Sequence, residues 1–246
     1  MPGSWLAVAF VSSLITAVVP APTAEDLAAK NAEAKGGLER LRAVQSLRLT
    51  GRMLFNNGQL EASLVQSVKS PGAIRVDLTL QGLTLTQAYD GSEGWQINPF
   101  QGRKDPERMA ADDVKSLIEE TEIGGPLVDW KARGHTLEYL GTEDVDGTDA
   151  HKIKVTRKNG DVQYVFLDPD YFLEIRIETR RMVRGVPQET VTDVGNYEKV
   201  DGIYVAFSAE SGQKGSSDRQ QVEFSKAEVN VPLDAATFRF PSPVTR

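Results

Sequence analysis

The sequence predicts a mainly β protein, a single antiparallel meander with a helix at its N-terminal end and one helical insertion. Two observations carry this. From Ser46 onward apolar residues recur at every second position, the period of a half-buried strand. The breaks between these runs hold Asn57-Gly58, Asp90-Gly91, Asp146-Gly147, Asn159-Gly160 and Asp201-Gly202, pairs that tolerate the positive φ of a tight hairpin turn. Serial hairpins join antiparallel neighbours. Parallel crossovers would need intervening helices, and the spacing leaves no room for them.

Ahead of the meander, residues 25–43 place Leu27, Ala34, Leu38 and Leu41 on one helical stripe, and Gly36-Gly37 predicts a kink or a close packing contact within it. Leu47, Leu49, Met53 and Phe55 then alternate with Arg48, Thr50 and Arg52 as the first strand. Leu60, Ala62, Leu64 and Val68 form the second, and Ile74, Val76, Leu78 and Leu80 the third. Further strands are expected at 83–89 and 95–97, then at 135–141, 150–156, 162–167, 172–182, 189–194, 203–208 and 220–229. Between the two groups, residues 105–122 read as the inserted helix. Pro106 suits a first turn, Met109, Val114, Leu117 and Ile118 make a narrow apolar stripe, and Gly124-Gly125-Pro126 ends it. Such a stripe has to be buried on the sheet. A short helical turn is expected at 232–237.

Lys and Arg number 28 against 35 Asp and Glu, a net charge of −7. That balance argues against nucleic acid, whose binding is driven by basic side chains releasing counterions, and weighs against adhesion to anionic head groups. Cysteine is absent, so neither a disulfide nor a thiol-linked lipid anchor is expected. The chain opens on an apolar run from Trp5 to Val19, with no charged side chain before Glu25. The run falls short of the ~20 residues of a spanning helix and ends in the small residues Pro20-Ala21-Pro22-Thr23-Ala24. Residues 1–24 therefore read as a secretory signal peptide cut after Ala21 or Ala24, leaving residues 25–246 as one exported, unanchored domain. An uncleaved N-terminal anchor is the alternative.

Catalytic chemistry finds little support. His135 and His151 have no partners at metal-ligand spacing. Gly91-Ser92-Glu93-Gly94 lacks the spacing of a nucleophile elbow, and no phosphate loop occurs. A calcium loop tried at Thr142, Asp144, Asp146 and Gly147 has Ile153 where the bidentate glutamate belongs. The pairs Asp112-Asp113 and Glu119-Glu120 are expected on the solvated side of the inserted helix. No catalytic residue, metal or cofactor is predicted.

Four strings of residues carry a family resemblance. They are Gly36-Gly37-Leu38-Glu39-Arg40-Leu41, Lys69-Ser70-Pro71, the run Asp90-Gly91-Ser92-Glu93-Gly94-Trp95-Gln96-Ile97-Asn98-Pro99-Phe100, and Asp234-Ala235-Ala236-Thr237-Phe238-Arg239-Phe240-Pro241. In this order and spacing they resemble the LolA/LolB-like lipoprotein-sorting family over the whole mature chain. The resemblance implies an incomplete antiparallel barrel, a half-barrel that is concave and apolar inside, closed by a helical lid. A sheet of more than ~10 strands also tends to curl by itself. The resemblance further implies a periplasmic protein that takes lipoprotein acyl chains or lipid, with inner- and outer-membrane sorting proteins as partners, no nucleic acid and no stable membrane insertion. One position departs from the pattern. The family's lid-holding arginine before the proline is Ser70 here, which has no guanidinium fork.

On this reading the ligand wall is Leu49, Met53, Leu64, Val76 and Leu78 of the sheet, with Met109, Val114, Leu117 and Ile118 of the lid and Trp130 at the mouth. Trp95 is expected to be structural, and the lid stripe is either cargo-facing or permanent core. Two other functions fit the same architecture less directly, an envelope lipid- or lipoprotein-sensing regulatory module and a secreted hydrolase.

Overall fold

A capped helix opens the described chain. Thr23 Oγ1 accepts a hydrogen bond from the Asp26 N–H, and the Asp26 carboxylate accepts one from the Thr23 N–H, so two of the orphan donors at the helix start are satisfied. This α1 (Ala24–Ala34) stops at Gly36 and Gly37, whose φ values are +113° and +96°. The chain resumes as α2 (Leu38–Ala43). The one helix expected over 25–43 is thus two. A β-carbon on Gly36 would lie 2.3 Å from the Gly202 carbonyl oxygen, so the break is also where the helical arm meets the sheet. The computed structural model describes residues 21–241; most of the expected signal peptide lies outside the described residues.

The strands are β1 (Ser46–Phe55), β2 (Leu60–Lys69), β3 (Ala73–Leu80), β4 (Leu83–Tyr89), β5 (Gly94–Ile97) and β6 (Glu107–Arg108). After α3 (Ala111–Glu120) come β7 (Thr136–Val145), β8 (Thr148–Thr156), β9 (Val162–Leu167), β10 (Glu174–Val183), β11 (Val186–Val200), β12 (Ile203–Gln213) and β13 (Arg219–Val229). All thirteen form one sheet in the order β6-β5-β4-β3-β2-β1-β13-β12-β11-β10-β9-β8-β7. Two meanders are joined side by side through the antiparallel pair β1 and β13, in which Leu47 faces Val229 and Met53 faces Val222. The sheet stays open, with β6 and β7 as its edges. It is the mainly β half-barrel expected, and α3 is the connection from one edge to the other.

The helices fill the concave face. Leu27 and Ala28 of α1 pack on Ile153, Val155, Val165 and Leu167. Leu41 of α2 joins Val44, Val128 and Ile203, and Leu117 of α3 joins Val68 and Ile74. On the convex face the C-terminal segment covers Trp95, whose indole N–H donates to the Phe238 carbonyl at 2.7 Å. Trp95 is buried there as structure, its polar edge satisfied in the way a core tryptophan requires.

The inserted helix is shorter than its sequence pattern. Glu107 and Arg108 pair with Gln96 and Trp95 of β5, and the Arg108 guanidinium meets the Glu93 carboxylate at 2.7 Å. These contacts keep residues 107–108 extended, so Pro106 precedes an edge strand, where its missing N–H costs nothing, and not a helix.

Candidate ligand-binding hollow

The pleat puts alternate residues on opposite faces, and the register decides which faces coincide. Met53 lies opposite Ala62, Leu64 opposite Gly51, and Leu49 opposite Gln66. Across the next ladder Gln66 faces Val76 and Leu64 faces Leu78. Leu49, Met53, Leu64, Val76 and Leu78 therefore share the concave face, all on β1–β3. The face continues through Leu85 opposite Leu78 and Leu83 opposite Leu80.

The lid residues divide. Val114 and Leu117 are buried, Leu117 against Val68 and Ile74, and Met109 packs half-buried in the same cluster. Ile118 turns away and is 38% exposed. Val114 and Leu117 thus serve as core in this arrangement, while Ile118 is open to solvent. Trp130 is not brought to this wall. It packs, partly buried, in the cluster of Leu27, Ile153 and Val155 beneath α1.

Charged side chains from the far arm hold α3 in place. Arg181 Nη2 donates to Glu119 at 2.9 Å, and the Gln163 amide donates to the same carboxylate oxygen at 3.1 Å. Arg157 donates to both oxygens of Glu122, at 3.0 and 2.5 Å, and His135 Nε2 lies 3.3 Å from that carboxylate. At the other end of α3 the Arg184 N–H donates to Asp112 at 2.8 Å and its side chain to Asp113 at 2.6 Å. The Lys115 ammonium caps the Met182 carbonyl at 2.9 Å. Ser70 takes no such part; its N–H bonds the Gln45 carbonyl at the foot of β2. The guanidinium groups that meet this segment come from the β8–β9 turn, β10 and the β10–β11 turn.

One expectation is corrected here. Glu119 and the Asp112-Asp113 pair are ion-paired, not free in solvent, and burial raises the Glu119 carboxyl above its ordinary value against the pull of Arg181 and Arg157. His135 is buried, and desolvation lowers it below its ordinary value despite the Glu122 hydrogen bond. Arg157, Gln163 and Arg181 are the participants missed in the sequence. For Gln163 and Arg181 the signal was a polar side chain at an inward position of an alternating strand, where an apolar one was due.

Glu120 differs from its neighbour. Its side chain is exposed, and the Gln66 amide donates to it at 3.4 Å. Desolvation raises its carboxyl to about 7, with the Glu119 charge adding to the rise and Arg181 opposing it. Among the described residues no three His, Asp or Glu side chains group as a metal site, and no helix is long and apolar enough to cross a membrane.

No protein-family model matches the sequence, and no curated protein matches it either. Solved structures do. A DUF1329 family protein from Desulfovibrio piger is 17% identical with a TM-score of 0.60, over 88% of this chain and 95% of its own. A domain described as an outer membrane lipoprotein-sorting protein, from Vibrio parahaemolyticus, is 14% identical with a TM-score of 0.58, over 87% and 95%. A LolA superfamily protein from Nitrosomonas europaea is 14% identical with a TM-score of 0.57, over 89% and 98%. The fold is LolA-like. The LolA-like likeness covers most of the chain, and at these identities it speaks for fold alone.

Proposed function

We propose that the protein is a periplasmic carrier, not an enzyme, which binds the acyl chains of lipoproteins or lipids in the hollow and conveys them toward the outer membrane. One observation carries the reading. Past the edge of α3 the concave wall keeps Met53, Phe55, Leu78, Leu80 and Leu85 only half-buried and Leu83 46% exposed, a run of apolar surface on adjoining strands that no helix among the described residues covers. Exposed apolar area of this kind marks a binding surface. An acyl chain suits it, since each methylene removed from water contributes about 0.8 kcal/mol and needs no directional partner. The name of the Vibrio structure, a lipoprotein-sorting domain, supports the same class of cargo. Sorting proteins of the inner and outer membranes would be its donors and acceptors. The test is titration with a fluorescent dodecyl probe. Saturable binding is expected, and Leu78→Asn should weaken it severalfold while leaving the urea midpoint nearly unchanged. Absence of saturable binding by the wild type would overturn the proposal.

A further inference from the structure

The two walls of the hollow differ, and the difference bears on the head group an acyl ligand can carry. On β1–β3 the inner residues are Met53, Leu64, Val76 and Leu78. Across β13 the same face changes character. Val222 pairs with Met53, and Ala209 with Val222. One step further along the strands Thr192 stands opposite Ser211, their hydroxyls 2.9 Å apart. Thr190 stands opposite Thr179 on that same face. A short row of hydroxyl groups therefore stands on the inner face of this arm, beside Ile177 and Val194. The C-terminal end of α3 adds Glu120, which leans over Gln66 on β2. The guanidinium groups on this side are already engaged, Arg181 by Glu119 and Arg157 by Glu122.

We infer that the hollow selects acyl amphiphiles whose head group donates hydrogen bonds and carries no negative charge, the head lying against Glu120, Gln66 and the hydroxyl row of Thr190, Thr192 and Ser211. The inference rests on the acyl-carrier reading above. An ionised carboxylate only accepts hydrogen bonds, and a hydroxyl or amide oxygen accepts as readily as its hydrogens donate. A sugar or glycerol hydroxyl, or a primary ammonium, meets acceptors on both sides. An anionic head meets Glu120, with the Glu119 charge beside it, and guanidinium groups that are already paired. Within a concavity these like charges act through protein as well as water, so salt screens them less than it would on an open surface. That the Glu120 carboxyl is pushed up to about 7 reflects the same setting, in which negative charge is poorly compensated.

The experiment uses three amphiphiles with one chain length: dodecylammonium, dodecyl glucoside and dodecyl sulfonate. Each competes, below its micellar concentration and at mildly alkaline pH, for the site of a neutral fluorescent dodecyl probe. The ammonium and the glucoside should displace the probe at concentrations about tenfold or more below the sulfonate, a difference of about 1.4 kcal/mol. Glu120→Gln should narrow the gap by raising sulfonate affinity. Glu39→Gln, which removes the same charge from an exposed position on α2, should leave it unchanged. Equal potency of the three compounds overturns the head-group inference and leaves the acyl reading standing. A gap unaltered by Glu120→Gln, or narrowed equally by Glu39→Gln, assigns the preference to the protein's overall charge and also overturns it. Failure of the neutral probe to bind removes the acyl reading itself.

Discussion

Gly94 of β5 lies directly under Val114 of α3, so close that a β-carbon on the glycine would stand 2.4 Å from a Val114 methyl. Strand and lid touch at the one residue type that leaves room. Gly94→Ala should therefore push α3 off the wall, at a cost of about 1–3 kcal/mol for an overpacked contact. Urea melts measure the loss. The accompanying sign is faster uptake of the dodecyl probe, because the displaced helix uncovers more of the β3–β4 wall. A variant with wild-type stability and uptake would show that the helix is not seated there.

Leu117 carries most of that seat, buried against Val68 and Ile74. Leu117→Ala should cost about 2–5 kcal/mol, the range for emptying a core leucine site. Ile118→Ala, at an exposed position on the next face, should cost far less and lower probe affinity if Ile118 borders bound cargo. The two variants separate core from contact on a single turn of helix.

Lys35 and Glu174 form a buried pair, 2.5 Å apart with side chains 7% and 2% exposed, and the Lys35 ammonium also caps the Gly124 carbonyl at 2.8 Å. Lys35→Met leaves Glu174 as an uncompensated buried charge, and a loss of about 3–5 kcal/mol is expected. The double variant Lys35→Met with Glu174→Leu should recover much of it, since the pair's own desolvation disappears with the pair. Chemical denaturation of the three proteins gives the cycle; a double variant as weak as the single one would refute this account.

Two groups give stability opposite dependences on pH. Glu120 is raised from 4.5 to about 7, so the folded chain binds its proton more tightly than the unfolded chain. Its contribution is present in acid and fades as pH rises from about 4.5 through about 7. His135 is lowered from 6.5 by burial, so the unfolded chain takes the proton first, and stability falls as pH drops through that ordinary value. Urea midpoints across this range should thus move in favour of Glu120→Gln over wild type as pH rises. They should move in favour of His135→Asn over wild type as pH falls. A flat difference in either comparison would remove that residue from the pH response.

The proposed export makes a prediction at the N-terminus. A cut after Ala21 keeps Thr23, whose side chain and N–H complete the capping box with Asp26, whereas a cut after Ala24 deletes the cap. Mass spectrometry of the secreted protein should find Pro22 first. Intact Met1 in a membrane fraction would contradict cleavage altogether.

By itself, the sequence determined the strand alternation, the hairpins and the break at Gly36-Gly37, because these are local matters. A period of two, a positive φ and a missing β-carbon act within a few residues. It also placed Leu49, Met53, Leu64, Val76 and Leu78 on inward positions of their strands, and the ladders between β1, β2 and β3 put them on one face. Only the tertiary structure decided the rest. The pairing of β1 with β13 joins residues far apart in the chain, so no local pattern specifies it, and it is this pairing that sets the leucine wall across from Thr192 and Ser211. The same holds for Glu119, which reads as a solvated helix residue until the curl of the sheet carries Arg181 and Gln163 within 3.1 Å. Trp130, placed at the mouth by sequence, instead fills the space beneath α1, because a large aromatic side chain goes to whichever cavity its surroundings leave, and those surroundings exist only once the chain has closed on itself.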